Sequence, residues 1–197
     1  MWTRDTDAKG MEFFLQKKMT NNYHFTISYA YSISKGYDPR FQKYYDWDYD
    51  YRHVFTFING MRFDFRNYGW YAKLKENTLY NIFAWILPLA DQMDVSIRWR
   101  YLGGRPYTPP TYYQNLHFWA INETMPINSS RYPKYHRLDL RIDRRFMFDG
   151  WNIITFFDLM NVYGRDNIWE YSYKDDGTVK EIFQWKVFPV GGLAIEF

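Results

Sequence analysis

Apolar and polar side chains alternate along most of this chain, and residues 23–34 show the pattern most clearly. Tyr23, Phe25, Ile27, Tyr29, Tyr31 and Ile33 fall on one face of an extended backbone, with His24, Thr26, Ser28, Ala30, Ser32 and Ser34 on the other. Period-2 alternation over this length predicts a strand with one apolar and one polar face. Residues 133–146 repeat it with charge. Leu138, Leu140 and Ile142 share one face, and Arg137, Asp139, Arg141, Asp143 and Arg145 the other. Asp149-Gly150 then supplies the positive-φ residue of a tight reversal, and a second β-rich run reaches Tyr163.

Four further runs carry the same signature. Residues 10–19 set Met11, Phe13 and Leu15 against Glu12, Gln16 and Lys18, with Phe14 intruding on the polar face. In residues 51–64, Phe55, Phe57, Met61 and Phe63 oppose Thr56, Gly60, Arg62 and Asp64, and Asn59 interrupts the apolar face. Residues 93–101 set Met93, Val95, Ile97, Trp99 and Tyr101 against Asp94, Ser96, Arg98 and Arg100. Residues 187–197 close with Leu193, Ile195 and Phe197 opposite Gly192, Ala194 and Glu196. The predicted class is all-β, with seven strands of roughly the 9–11 residues that a tilted transmembrane strand needs.

One stretch departs from the alternation. Leu79, Ile82, Phe83 and Ile86 recur at helical spacing and Pro88 ends the run, which predicts a short helical insert near 74–88. Such a helix lies at a membrane surface or packs on a barrel rim; a buried strand is the alternative, since a short apolar run does not decide between the two. The other connections sort by length. Those at 20–22 and 147–150 are short, and those at 35–50, 104–132 and 164–186 are long, the last with a hairpin expected at Asp175-Asp176-Gly177. Short turns on one side and long loops on the other are the rule of transmembrane β-barrels.

Composition sharpens this choice. Aromatic residues make up 23% of the 197 residues, with 20 Tyr, 17 Phe and 9 Trp; Tyr and Trp suit a boundary between apolar and wet surroundings. Mean hydropathy is negative, and no apolar run approaches the roughly 18 residues of a spanning helix. The net charge of +3 is spread among interleaved acids and bases, so no basic patch points to nucleic acid. Cysteine is absent, which excludes disulfides and thiolate metal sites. No apolar segment typical of a secretory signal follows Met1-Trp2-Thr3-Arg4-Asp5. With the odd strand number, this leads us to expect a piece of a larger, even-stranded barrel.

Several stretches together resemble the C-terminal barrel of TonB-dependent outer-membrane receptors. They are Ala8 through Lys18, Tyr51-Arg52-His53-Val54-Phe55, Arg98 through Pro109 with its Gly103-Gly104-Arg105-Pro106-Tyr107 core, Tyr135 through Arg141, Phe157-Asp158-Leu159-Met160-Asn161-Val162-Tyr163, and the terminal Phe197. The resemblance spans nearly all of residues 1–197. It implies the final seven strands of a 22-stranded barrel in the bacterial outer membrane, without the plug domain and N-terminal strands. The implied partners are membrane lipid, the missing barrel portion and plug, TonB through the parent's plug only, and the outer-membrane assembly machinery. That machinery would read Gly192, Ile195 and Phe197.

Candidate chemistry is sparse. Arg98, Arg100, Arg137 and Arg141, on the polar face, could attract an anionic ligand such as a metal chelate; the competing expectation is that they pair with Asp94, Asp139 and Asp143 along the wall and with carboxylates of a plug. Tyr107, Tyr112, Tyr113 and Trp119 crowd the loop after Pro106 and would suit a chelate or sugar ring, or else pack on one another. Asp46, Asp48 and Asp50 carry oxygen ligands but lack the glycine and glutamate of a calcium loop. The four histidines show no metal-ligand spacing, and hydrogen bonding near strand ends is the expectation for His53 and His136. Ser28 and His24 lie too far apart along a strand to form a nucleophile and base. No enzyme, metal or cofactor is expected. The reading is the wall and outer loops of a receptor importing a scarce ligand: a metal chelate, vitamin or oligosaccharide. The alternatives are a non-transporting structural or adhesive outer-membrane barrel, and a soluble β-rich carbohydrate-binding domain.

Overall fold

A computed structural model describes residues 6–84 and 89–197. In chain order the elements are β1 (Thr6–Thr20), β2 (Tyr23–Asp38), β3 (Lys43–Asp46), β4 (His53–Asp64), α1 (Gly69–Lys75), α2 (Thr78–Phe83) and β5 (Gln92–Leu102). They continue with β6 (Pro106–Tyr107), β7 (Thr111–Tyr113), β8 (Phe118–Ala120), β9 (Ser130–Arg131), β10 (Tyr135–Phe148), β11 (Trp151–Met160), β12 (Ile168–Tyr173), β13 (Val179–Phe183) and β14 (Phe188–Glu196). The seven long strands are the seven expected from alternation. They form one antiparallel meander, β1-β2-β4-β5-β10-β11-β14, with β3 added against the end of β2. The fold is all-β with two short helices.

Register keeps the two faces in phase across the sheet. Ile27 sits opposite Phe57, Phe57 opposite Trp99, Trp99 opposite Leu138, and Ile142 opposite Phe157. A one-residue slip at any pairing would send that strand's apolar set to the polar face. The β1–β2 turn places Asn21 at φ 53° and Asn22 at φ 62°, the type I′ geometry whose twist matches the flanking strands. At the β10–β11 turn Gly150 takes φ 77°, as Asp149-Gly150 led us to expect.

Polar interruptions of the apolar face are satisfied across strands. Asn59 donates to the hydroxyl of Tyr23 on the neighbouring strand, and Arg144 Nε donates to Thr155 Oγ1 at 3.1 Å. Neither partner is visible from its own strand.

The sheet is a single layer. Among the described residues, the buried hydrophobic side chains are Tyr71, Tyr80, Ala90 and Phe146. They gather at the short-turn end, where the β4–β5 connection folds back on the sheet. Phe13 is 53% exposed, Phe157 47% and Leu193 64%, although all three lie on the apolar face. A water-soluble chain of this length would bury most of such surface. Among the described residues the remaining sheets are two-stranded pairs in the connections, and none forms a second layer over the apolar face.

Three expectations change in detail. The strand expected to end at Ser34 continues to Asp38, and β3 pairs with it, so the predicted loop at 35–50 is partly sheet. The connection expected as a loop at 104–132 contains the β6–β9 and β7–β8 pairs. The insert is two helices, α1 and α2, and its first half begins before residue 74; Ile86 and Pro88 lie outside the described residues. The hairpin expected at Asp175-Asp176-Gly177 is formed by β12 and β13, with Gly177 at φ 84°.

Candidate anion site and outer loop layer

On the polar face the sheet carries a ladder of ion pairs. Asp94 and Asp143 stand directly opposite one another, a repulsive placement. Each has its own guanidinium: Arg62 donates to both oxygens of Asp94 at 2.7 and 2.8 Å, and Arg141 to both of Asp143 at 2.8 and 2.7 Å. Arg141 also lies 4.5 Å over the Phe156 ring. Near the turns, Arg145 reaches across β11 to Glu196 at 2.6 Å. For Arg141 the wall-pairing expectation holds.

The rung nearest the long loops is different. Arg98, Arg100 and Arg137 come together around one carboxylate, Asp139. Arg98 donates to Asp139 Oδ2 at 3.1 and 3.2 Å, Arg137 Nε lies 2.8 Å from Oδ1, and Arg100 stands 3.9 Å from Oδ2. Asp139 is buried, and the backbone N–H of Asn161 also donates to its Oδ1 at 3.0 Å. Three guanidiniums thus share one carboxylate, leaving two positive charges in excess. Arg100 and Arg137 face each other across the β5–β10 ladder, and Nε of Arg100 has no hydrogen-bond partner among the described residues. The rung thus carries the donor type that pairs with oxyanions.

Asn161 anchors the rim of this rung. At φ 55° it turns the chain out of β11. Its Nδ2 donates to the carbonyls of Arg165 and Trp185, and its Oδ1 accepts the Arg165 N–H. Asn167 does similar work for β10, bridging the N–H and carbonyl of His136. Near the same end, His53 Nδ1 meets the Tyr29 hydroxyl at 2.9 Å and His136 Nδ1 meets that of Tyr163 at 2.7 Å, the hydrogen-bonding role expected of these histidines.

Above the rung, the three long connections interlock. Arg131 of β9 donates to the Asp50 carbonyl at 2.6 Å, to the Gly104 carbonyl at 2.9 Å and to Asp50 Oδ2 at 3.1 Å, and also binds the Asp46 carboxylate. Arg52 pairs with Asp46 and Asp50, each at 2.9 Å, and Asn128 donates to Asp48 at 2.7 Å. The cations serving this aspartate run are therefore guanidiniums; among the described residues no group of acids and histidines is arranged to hold a metal. Burial opposes ionisation of Asp46, but the Arg131 hydrogen bond and the charges of Arg52 and Arg131 hold its carboxyl below the ordinary value.

The four loop aromatics do not form one site. Tyr107 packs with Tyr132 and Tyr171 at centroid distances of 4.5 and 5.5 Å, with Arg105 4.6 Å over Tyr132. Tyr112 and Trp119 pack together and donate to the carbonyls of Asp175 and Lys174 at 2.6 and 2.8 Å, locking β7–β8 to the β12–β13 turn. Burial among these rings pushes the Tyr173 hydroxyl up to about 12. Tyr113 stacks on Phe118 and both are exposed. Tyr107, Tyr112 and Trp119 are thus largely taken up by packing. Tyr132, Tyr171, Arg105 and Arg131, which complete the layer, carry no period or spacing signal in the sequence.

At the free edge, Gly192 lies under the Phe156 ring, where a Cβ would collide. Ile195 and Phe197 are exposed, with Ile195 opposite Ile153. Comparison with protein-family models, with curated proteins and with solved structures gives no match for this chain.

Proposed function

We propose that this chain is wall and outer loops of an outer-membrane transport barrel of the TonB-dependent receptor kind, and that its arginine rung meets an anionic ligand on the way through. The carrying observation is the single-layer sheet with one exposed apolar face, one ion-paired face and almost no core. Such a sheet is stable where lipid takes the place of a core on one side and water or a plug lies on the other. The loop sorting supports the same reading, because the interlocked layer lies at one end and the tight turns at the other.

Strand direction adds a constraint. Six antiparallel pairings separate β1 from β14, so the two edge strands run the same way. Pairing them directly would be parallel. Antiparallel closure needs an odd number of further strands, which the larger barrel would supply. An adhesive or structural barrel shares this architecture, but gives no role to three guanidiniums gathered on one carboxylate beneath the loop layer.

The test places one charge on each face. Phe57→Arg, on the apolar face, should cost about 2–4 kcal/mol in a bilayer and block membrane insertion, while Gln16→Arg, at similar depth on the polar face of the edge strand β1, should be tolerated. Refolding into phospholipid vesicles, followed by gel mobility and protease protection, reads both. Equal tolerance of the two substitutions, with the chain remaining in the aqueous phase, would overturn the barrel reading and favour a soluble domain.

A further inference from the structure

The helical insert lies on the apolar side of the sheet. Phe65 donates its N–H to the Asp91 carbonyl at 3.0 Å, and Phe65, Asp91 and Phe146 continue the apolar-face phase of β4, β5 and β10 at the short-turn end. Tyr71 of α1 and Tyr80 of α2 close over this row. Phe65 and Tyr71 rings pack at 6.0 Å, Tyr71 and Tyr80 at 6.3 Å, and the Tyr80 hydroxyl donates to the Leu89 carbonyl at 3.2 Å. Lys75 Nζ reaches Asp91 at 2.8 Å, and Asp91 accepts the Met147 N–H at 2.7 Å. The insert is therefore tied to the sheet by buried polar groups.

Its apolar side chains go the other way. Leu79 is 67% exposed, Ile82 55%, Phe83 50% and Trp70 50%. A helix packed on a sheet in water buries its aliphatic stripe and exposes its polar groups. Here the tyrosine pair is inside and the aliphatic stripe outside. The exposed stripe is continuous with exposed Phe63 and Met61 on the apolar face, through the Phe63–Phe65 stack and the Phe65–Trp70 contact. Arg66, Lys73 and Lys75 stand against the single acid Glu76 in this segment, and Asn77 caps α2 through the N–H groups of Leu79 and Tyr80.

We infer that α1 and α2 form an interfacial foot, whose Trp70, Leu79, Ile82 and Phe83 seat in the headgroup–acyl boundary of the phospholipid leaflet at the short-turn end. Amphipathic helices with aromatic and aliphatic residues on one face and lysines on the other bind at that depth. The inference rests on the barrel reading above. The foot fixes the depth of the sheet: Tyr71 and Tyr80 hold it to the wall, and its outward stripe resists axial displacement.

The absence of native cysteine allows single-cysteine labelling of the full chain. Leu79→Cys, Ile82→Cys and Phe83→Cys, with Phe57→Cys at mid-sheet and Glu76→Cys between the helices, each carry an environment-sensitive fluorophore. The labelled chains are reconstituted in phosphatidylethanolamine–phosphatidylglycerol vesicles containing lipids with a nitroxide near the headgroup or near the bilayer centre. Labels at 79, 82 and 83 should shift to the blue and be quenched more by the shallow nitroxide. The label at 57 should be quenched more by the deep one, and that at 76 by neither. Quenching at 57 with none at 79, 82 and 83 overturns the foot and leaves the barrel standing. Absence of quenching at 57 overturns the barrel reading, and the foot with it.

Discussion

Arg100 and Arg137 stand opposite each other on adjacent strands, and the carboxylate of Asp139 lies 3.9 Å from the first and 2.8 Å from the second. A rung of like charges held by one buried acid is destabilising unless an anion completes it. Asp139 and Arg100 should therefore respond differently to substitution.

Asp139→Asn leaves Arg98, Arg100 and Arg137 without their carboxylate. The loss should be about 3 kcal/mol, at the lower end for a broken buried pair because Arg98 and Arg100 are partly solvated. Arg100→Ala should lie within about 1 kcal/mol of the parent, or stabilise, because it removes a repulsion. Urea unfolding in detergent micelles measures both. Citrate or sulfate should raise the unfolding midpoint of the parent but not of Arg100→Ala, since binding to the folded state alone stabilises it. An equal response of the two would remove Arg100 from the anion site.

The loop layer hangs on Arg131. Arg131→Ala removes donors to Asp46, Asp50 and Gly104, and leaves the buried carboxylate of Asp50 with Arg52 as its cation. The expected cost is about 1.5–3 kcal/mol, the range for hydrogen bonds to charged groups. It should fall locally: limited proteolysis should accelerate within both 39–52 and 103–134, with strand content by circular dichroism unchanged. Cleavage confined to 103–134 would show that the two loops are not coupled through this residue.

Acid should loosen the same contacts. Asp46 ionises below the ordinary carboxylate range in the folded chain, so its pairing contributes stability above the unfolded value of about 4. That contribution is lost as pH falls through the lowered folded value. Protease sensitivity of 39–52 should rise on acidification through that window in the parent. In Asp46→Asn it should start high and change less. An identical pH profile in both would exclude Asp46 as the titrating group.

The run Gly103-Gly104 is required by close backbone approach. A Cβ at Gly104 would meet the Tyr132 carbonyl oxygen, and one at Gly103 the carbonyl oxygen of Tyr51. Gly104→Ala should cost about 1–3 kcal/mol, as overpacking against unyielding atoms does, and should separate β6 from β9. Gly69→Ala, where a Cβ meets nothing, is the control. A thermal unfolding midpoint for Gly104→Ala no lower than that of Gly69→Ala would refute the backbone constraint.

The seven long strands were legible because alternation is a property of the local chain: each residue's face follows from its number. Asp149-Gly150 and Asp175-Asp176-Gly177 were legible for a similar reason, since positive φ is open to few residue types. The short pairs β3, β6–β9 and β7–β8 were not, because two to four residues carry too little pattern and owe their form to neighbouring loops. Asn59 looked like a fault until register put the Tyr23 hydroxyl beside it. Helical spacing picked out Leu79, Ile82 and Phe83, but only the fold decided that Tyr80 turns inward and that stripe outward. The same holds for the arginines. Sequence placed Arg98, Arg100, Arg137 and Arg141 on one face; Arg141 and Arg137 meet Asp143 and Asp139 two residues on in their own strand, whereas strand register brought Arg98 and Arg100 to Asp139, because distances between strands are encoded by no single strand.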